Sequence, residues 1–120
     1  MRVMLVDDHA AFRHSASVLL ELEGVRVVAT AESGEQALEL LDAWAAISDA
    51  ADVVLVDLRL PGMDGVDVSE AIAGRPSPPL VILISSHDEA ASDPRVVGAP
   101  VLGFLPKRDL TCAAILALLD

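Results

Sequence analysis

Residues Asp52–Asp57, with the sequence DVVLVD, decide the fold of this chain. All four residues between the two acids are apolar, and most are valine, which is typical of a strand buried on both faces. Such strands belong to parallel sheets that helices cover on both sides. We therefore predict a buried parallel strand over Asp52–Val56, with Asp57 at its carboxyl end.

Four more short apolar runs flank this segment, and helical patterns separate them. The further strands are predicted over Arg2–Val6, Val25–Ala29, Leu80–Ile84 and Val101–Leu105. The predicted helices are His9–Leu22, a helix capped by Ser33 that extends through Trp44 and Ala45, Val66–Ala73, and Leu110–Leu119 capped by Asp109. This alternation favours an α/β fold, a doubly wound five-stranded parallel sheet with helices on both faces. Functional sites of such sheets lie at the carboxyl ends of the strands.

Polar residues follow four of the predicted strands. They are Asp7-Asp8-His9 after the first strand, Asp57 after the third, Ser85-Ser86 after the fourth and Lys107, the chain's only lysine, after the fifth. Each residue alone is explained by capping or solvation. Together, converging carboxylates need a cation between them, and their oxygens suit Mg²⁺. Asp57 is then a candidate nucleophile toward a phosphoryl group, and Ser85 and Lys107 are candidates to stabilise the transferred oxygens.

The composition limits the function. The chain has 120 residues, 53% of them apolar, which suffices for one domain with one core. Its net charge of −11 repels nucleic acids and anionic membranes, so we expect no direct contact with either. No apolar run approaches the ~20 residues of a membrane span, and a single cysteine, Cys112, excludes an internal disulfide. These features predict a soluble cytoplasmic domain over residues 1–120.

Four segments resemble a known family. They are Arg2–His9 (RVMLVDDH), Val53–Gly65 (VVLVDLRLPGMDG), Val81–Ser86 (VILISS) and Gly103–Lys107 (GFLPK). In this order they resemble the receiver domains of two-component response regulators, which have a flavodoxin-like fold. The opening segment and the GFLPKRD stretch look most like the NarL-type subfamily, whose members usually carry a C-terminal helix-turn-helix output domain. Because the chain ends after the fifth predicted helix, we expect that output domain to be absent from it.

The resemblance implies a phosphoacceptor and a metal site. Asp57 is expected to accept a phosphoryl group from the phosphohistidine of a sensor histidine kinase. Asp7, Asp8, Asp57 and the backbone carbonyl of Arg59 are the expected Mg²⁺ ligands.

The resemblance also implies a switch. Ser85 and Lys107 are expected to contact the phosphoryl group, and Phe104 to change its rotamer in response. A phosphoryl group brings up to about two negative charges and three acceptor oxygens. We expect these contacts to shift the strand-end loops and change a surface formed by the fourth helix, fifth strand and fifth helix. A homodimer stays an open alternative, and DNA would be reached only through the output domain.

Two other functions stand beside this one. The first is a receiver-like interaction module that works without phosphorylation. The second is an enzyme, but phosphohydrolases with an aspartyl nucleophile often carry an acid two residues later, where this chain has Arg59. We therefore expect a regulatory domain with at most self-catalysed phosphorylation and autodephosphorylation.

Two helices show unusual patterns. Pro94 is poorly tolerated inside a helix, so Asp93 as N-cap with Pro94 at the first position predicts a fourth helix of about one turn. The last helix is apolar nearly all round. We expect one of its faces to pack on the sheet and the other apolar residues to point away from the sheet. The sheet-facing residues are predicted to be Leu110, Ala114, Ala117 and Leu118, and the other apolar residues Ile115, Leu116 and Leu119. A second protomer, a further domain or simple exposure at a truncated end are open alternatives for that second face.

Overall fold

The computed structural model describes residues 1–44 and 51–120, except for the side chains of Asp88 and Glu89. Its five strands form one parallel sheet in the order β2-β1-β3-β4-β5. The strands are β1 (Arg2–Val6), β2 (Arg26–Ala31), β3 (Val53–Asp57), β4 (Leu80–Ser85) and β5 (Gly103–Pro106). The predicted doubly wound α/β architecture is confirmed.

The helices alternate with the strands along the chain. They are α1 (Ala10–Leu22), α2 (Gly34–Trp44), α3 (Gly65–Ala73), α4 (Pro94–Val97) and α5 (Cys112–Leu119), with short 3₁₀ helices at Asp88–Ser92 and Lys107–Asp109. Ser33 caps α2 as predicted, because its hydroxyl accepts the Gln36 backbone N–H at 3.1 Å. Ala45, the last residue predicted for this helix, lies outside the described residues. Within the described residues, no helix has both the length and the apolar character needed to cross a membrane.

The core consists of two apolar layers, one on each face of the sheet. Alternate residues of the central strand enter different layers: Val54 and Val56 pack with α2 and α3, while Val53 and Leu55 pack with α1 and α5. Every residue of β3 is buried, as the DVVLVD pattern predicts. The central strands are therefore enclosed on both faces, and their carboxyl ends lie at one edge of the sheet.

Three predicted strands begin later in the structure than expected, β2 and β3 by one residue and β5 by two. Val25 was assigned to the second strand, but its N–H donates to Leu20 O at 2.9 Å and completes the turn after α1. Gly24, with φ of +92°, lies in that turn. At the fifth strand, Val101 donates to Ala99 O at 2.8 Å, so it belongs to a turn and β5 begins later. Apolar runs thus identified these strands but not where each turn ends.

Helix α4 has the predicted single turn. It contains four residues, and the Asp93 carboxylate accepts the Arg95 backbone N–H at 2.9 Å. Pro94 occupies the first turn, where its missing N–H costs nothing.

The last helix corrects two predictions. Thr111, not Asp109, caps α5, because its hydroxyl accepts the Ala114 N–H at 3.0 Å while Asp109 ends a 3₁₀ turn. This later start changes the buried face. Ile115 is fully buried and Ala117 exposed, the reverse of the prediction. Leu116 and Leu119 are exposed as predicted.

Candidate functional site

The register of the sheet brings the predicted site residues to one edge. Asp57 is paired with Ile84, and Ser85, the next residue of β4, is paired with Pro106, which directly precedes Lys107. On the other side of β3, Val6 is paired with Val56, so Asp7 follows at the level of Asp57.

Lys107 joins two buried carboxylates. Its Nζ atom lies 2.6 Å from Asp7 Oδ2 and 3.2 Å from Asp57 Oδ2. The ammonium also lies 4.5 Å from the centroid of the Phe12 ring, within the range of a cation–π contact. One positive charge therefore balances part of the negative charge that Asp7, Asp8 and Asp57 concentrate at this edge.

Asp7 is fixed by local contacts. Its side chain is fully buried, and its Oδ1 accepts the His9 backbone N–H at 2.8 Å. Its backbone carbonyl oxygen accepts a hydrogen bond from Arg13 Nη1 at 2.7 Å. For Asp7 Oδ2, no hydrogen bond of good angle is found among the described residues, so the ion pair with Lys107 is its main compensation.

Asp57 is almost completely buried, with 3% of its surface exposed. Its Oδ1 accepts the Arg59 backbone N–H at 3.3 Å. Burial and then the nearby charge of Asp7 raise the pKa of Asp57, and together they outweigh Lys107 and the Arg59 N–H, which lower it. For Lys107, burial would lower the pKa, but the close contact with the Asp7 carboxylate and the charges of Asp57 and Asp7 raise it. The lysine is therefore charged at neutral pH.

The site has the donors of a metal centre. Ligand atoms of Asp7, Asp8, His9 and Asp57 all lie within 4.8 Å of one another. Clustered carboxylate oxygens, one of them buried without a hydrogen bond, suit a hard divalent cation such as Mg²⁺. His9 Nδ1 lies 3.2 Å from both Asp7 Oδ1 and Asp8 Oδ1. His9 also precedes α1 as its N-cap residue, the helix-start position that the sequence predicts for it.

Ser85 and Phe104, the two residues predicted to respond to phosphorylation, lie on the neighbouring strands β4 and β5. Ser85 is buried at the end of β4, and its Oγ accepts the His87 backbone N–H at 3.1 Å. Phe104 lies on the neighbouring strand β5, partly buried against the layer that contains α2 and α3. The hydroxyl and the ring therefore occupy adjacent strands.

Comparison with known proteins assigns the family. The sequence model of the family described as "Response regulator receiver domain" matches residues 3–117. The chain belongs to this family. Its relatives include "Probable transcriptional regulatory protein NarL" of Mycobacterium tuberculosis, 40% identical over all of this chain and 54% of that protein. They also include the response regulator UvrY of Escherichia coli, 33% identical over 89% of this chain and 47% of that protein.

Solved structures agree with this assignment. The signal receiver domain of NarL from Mycobacterium tuberculosis superposes with a TM-score of 0.81 at 40% identity, covering 97% of this chain and 93% of that one. The receiver domain described here is thus a regulatory rather than a catalytic domain. It spans about half the length of the curated relatives it matches.

Sequence reasoning missed several contacts of this receiver domain. Phe12, whose ring lies 4.5 Å from the Lys107 ammonium, was not identified as part of the site. Arg13, which holds the Asp7 carbonyl, was not identified. Both residues lie in the first turn of α1, five and six positions after Asp7, and this closeness in sequence could have indicated that they lie beside the site.

Proposed function

We propose that this receiver domain accepts a phosphoryl group on Asp57 from the phosphohistidine of a sensor histidine kinase. The observation that carries the proposal is the buried Asp57 carboxylate with the Lys107 ammonium 3.2 Å away, at an edge that also holds Asp7 and Ser85. In the whole protein, we propose that the resulting switch regulates transcription through a helix-turn-helix output domain, which would contact DNA.

Asp57 acts as the nucleophile. One of its carboxylate oxygens forms a bond to phosphorus while the bond between phosphorus and the donor breaks, and the leaving group keeps that electron pair. The Arg59 N–H on Oδ1 restricts rotation of the carboxylate, which favours attack through Oδ2. Burial raises the pKa of Asp57, which makes its oxygens better nucleophiles once they are ionised.

Lys107 changes partner during the reaction. Its Nζ already contacts the attacking carboxylate, so it needs only a small movement to pair with the new phosphoryl oxygens. The Ser85 hydroxyl, at the end of the adjacent strand, donates a hydrogen bond to the phosphoryl group. Phe104 then fills the space that Ser85 leaves, and this changes the surface around α4, β5 and α5.

Asp7, Asp8, Asp57 and the Arg59 carbonyl would hold Mg²⁺. When bound, this ion neutralises carboxylate charge and stabilises the phosphoryl oxygens. Two backbone N–H groups orient the acids for this role. The His9 N–H donates to Asp7, and the Arg59 N–H donates to Asp57.

The family and the complete set of acids, hydroxyl and lysine favour this function over an interaction module that works without phosphorylation. We propose that residues 1–120 form one receiver domain that works in the cytoplasm, as response regulators generally do. Its own chemistry would be limited to self-catalysed phosphorylation and autodephosphorylation. Its partner would be the histidine kinase, and a homodimer stays an open alternative.

Intact-mass spectrometry tests this function. After incubation with acetyl phosphate and Mg²⁺, the wild-type protein should gain one phosphoryl group, and Asp57→Asn should gain none. Asp52→Asn is the matched control, because Asp52 lies just before the opposite end of β3, where its carboxylate accepts the Arg2 N–H at 2.9 Å. Equal modification of Asp57→Asn and wild type would overturn the assignment of Asp57.

A further inference from the structure

Arg95 connects α4 to the start of α3. Its Nη1 lies 2.6 Å from Asp64 Oδ2, and its Nη2 lies 3.2 Å from Asp67 Oδ1. Nη2 also lies 3.5 Å from Asp64 Oδ1, so the guanidinium contacts both oxygens of Asp64. Burial would raise the pKa of Asp64, but the hydrogen bonds from Arg95 and the Asp67 backbone lower it, so this carboxylate is ionised at neutral pH.

The two acids are fixed relative to Asp57. Asp64 caps α3, and it exchanges hydrogen bonds with Asp67 in a capping box. The next residue, Gly65, donates its N–H to Leu58 O at 2.9 Å. A Cβ atom on Gly65 would lie 2.7 Å from the Asp57 carbonyl oxygen, so α3 begins directly against the backbone of Asp57.

The segment that carries Arg95 begins at Ser85. The Ser85 hydroxyl accepts the His87 N–H, and a 3₁₀ helix then leads to α4. A four-residue helix makes too few internal hydrogen bonds to be stable alone, so its position depends on outside contacts. The buried Val96 side chain is one such contact, and the Arg95 ion pairs are another.

We propose that Arg95 is a positioning residue of the phosphorylation switch, whose ion pairs with Asp64 and Asp67 hold the segment after β4 in its unphosphorylated arrangement. This inference rests on the proposed function. Since Arg95 links the segment that follows Ser85 to the helix that begins against Asp57, a shift of Ser85 toward a phosphoryl group strains these ion pairs. Removing them therefore favours the phosphorylated arrangement.

Two arginine variants test this role. Arg95→Gln removes the ion pairs, and Arg75→Gln is the matched control, since Arg75 Nη1 lies 2.6 Å from Asp42 Oδ1 just beyond the other end of α3. Amide hydrogen exchange in α4 reports its release, and the affinity for beryllofluoride with Mg²⁺, a phosphoryl mimic, reports the switch. Because the Arg95 side chain is 55% exposed, we expect changes of roughly two- to fivefold.

In Arg95→Gln, the α4 amides should exchange faster and beryllofluoride should bind more tightly, with neither change in Arg75→Gln. As a single substitution, Asp67→Asn should produce part of both effects. Added to Arg95→Gln, it should cause little further change, because the ion pair is already lost. If the α4 amides of Arg95→Gln exchange at the wild-type rate, the proposed role of Arg95 is wrong, and the proposed function is unaffected. The same holds if they exchange faster but beryllofluoride does not bind more tightly. A wild-type protein that binds no beryllofluoride overturns the proposed function instead, and the switch role of Arg95 with it.

Discussion

Lys107 places one ammonium between the buried carboxylates of Asp7 and Asp57. Without this charge, both acids would be buried close together with no cation. Removing one partner of a buried ion pair leaves a charge that water no longer stabilises. The metal-free site therefore depends on the Lys107 side chain to balance the charge of its acids. A bound cation would provide a second positive charge there.

Lys107→Met should destabilise the metal-free protein by about 3 kcal/mol, because it leaves Asp7 and Asp57 unpaired while methionine still packs on Phe12. Added Mg²⁺ should recover part of this loss, since a cation bound by the acids replaces the missing charge. Urea unfolding with EDTA and with MgCl₂ measures both effects. Equal losses under the two conditions would argue against Mg²⁺ binding at these acids.

Asp57 should make stability depend on pH in a defined direction. Its folded pKa is raised above the usual 3.8, so the folded protein binds its proton more tightly than the unfolded chain. The stability from this group is present below pH 3.8 and is lost as pH rises through the folded pKa. The free energy of unfolding of wild type, relative to Asp57→Asn in metal-free buffer, should therefore decrease over this range. An increase would show that Lys107 outweighs burial.

At the scale of elements, the start of α3 lies unusually close to β3, the strand that carries Asp57. A Cβ atom on Gly65 would lie 2.7 Å from Asp57 O and 2.8 Å from Leu58 Cα, both backbone atoms that cannot easily move. At the other end of the helix, a Cβ on Gly74 would lie 3.7 Å from the backbone oxygen of Ala71, an ordinary van der Waals distance. The same substitution should thus have opposite effects at the two ends.

Gly65→Ala should cost about 1–3 kcal/mol because the new methyl group forces α3 away from β3. It should also slow modification by acetyl phosphate, since Asp57 and Leu58 would shift. Gly74→Ala should be neutral or stabilising by up to about 1 kcal/mol, because alanine restricts the unfolded chain. Thermal unfolding and intact-mass time courses provide the comparison. Similar stability losses in both variants would contradict the close approach.

The elements also show what the sequence can predict. Pro94 defined the length of α4 correctly, because proline acts locally through its ring and its missing N–H. The buried face of α5 was assigned wrongly, because it depends on where the chain leaves the 3₁₀ turn before Thr111. In a helix composed almost entirely of Ala, Leu and Ile, the apolar pattern does not distinguish Ile115 from Ala117.

At the scale of the whole molecule, the order of the strands made the site predictable. The acids, the hydroxyl and the lysine come from residues far apart in sequence. They meet because the carboxyl ends of parallel strands lie at the same edge of the sheet. Motifs at the strand ends were therefore sufficient to predict the cluster. The pairing of Arg95 with Asp64 and Asp67 was not predictable, because surface arginines and acids are common and only the fold selects partners 28 and 31 residues apart.

The net charge of −11 should make the protein more stable at higher ionic strength. Most acids face solvent and repel one another across the surface, and salt screens this repulsion. The melting temperature at pH 7 should rise when NaCl is added to a low-salt, metal-free buffer. A falling melting temperature would mean that the ion pairs of Lys107, Arg75 and Arg95 outweigh the general repulsion.

The most direct test of the account is to locate the phosphoryl group. Borohydride reduces an aspartyl phosphate to homoserine, and peptide mass spectrometry then identifies the position. After treatment with acetyl phosphate and Mg²⁺, we predict homoserine at Asp57 alone, with none when EDTA replaces Mg²⁺. Homoserine at Asp7 or Asp8, or at Asp57 to the same extent with EDTA, would contradict the proposed receiver chemistry.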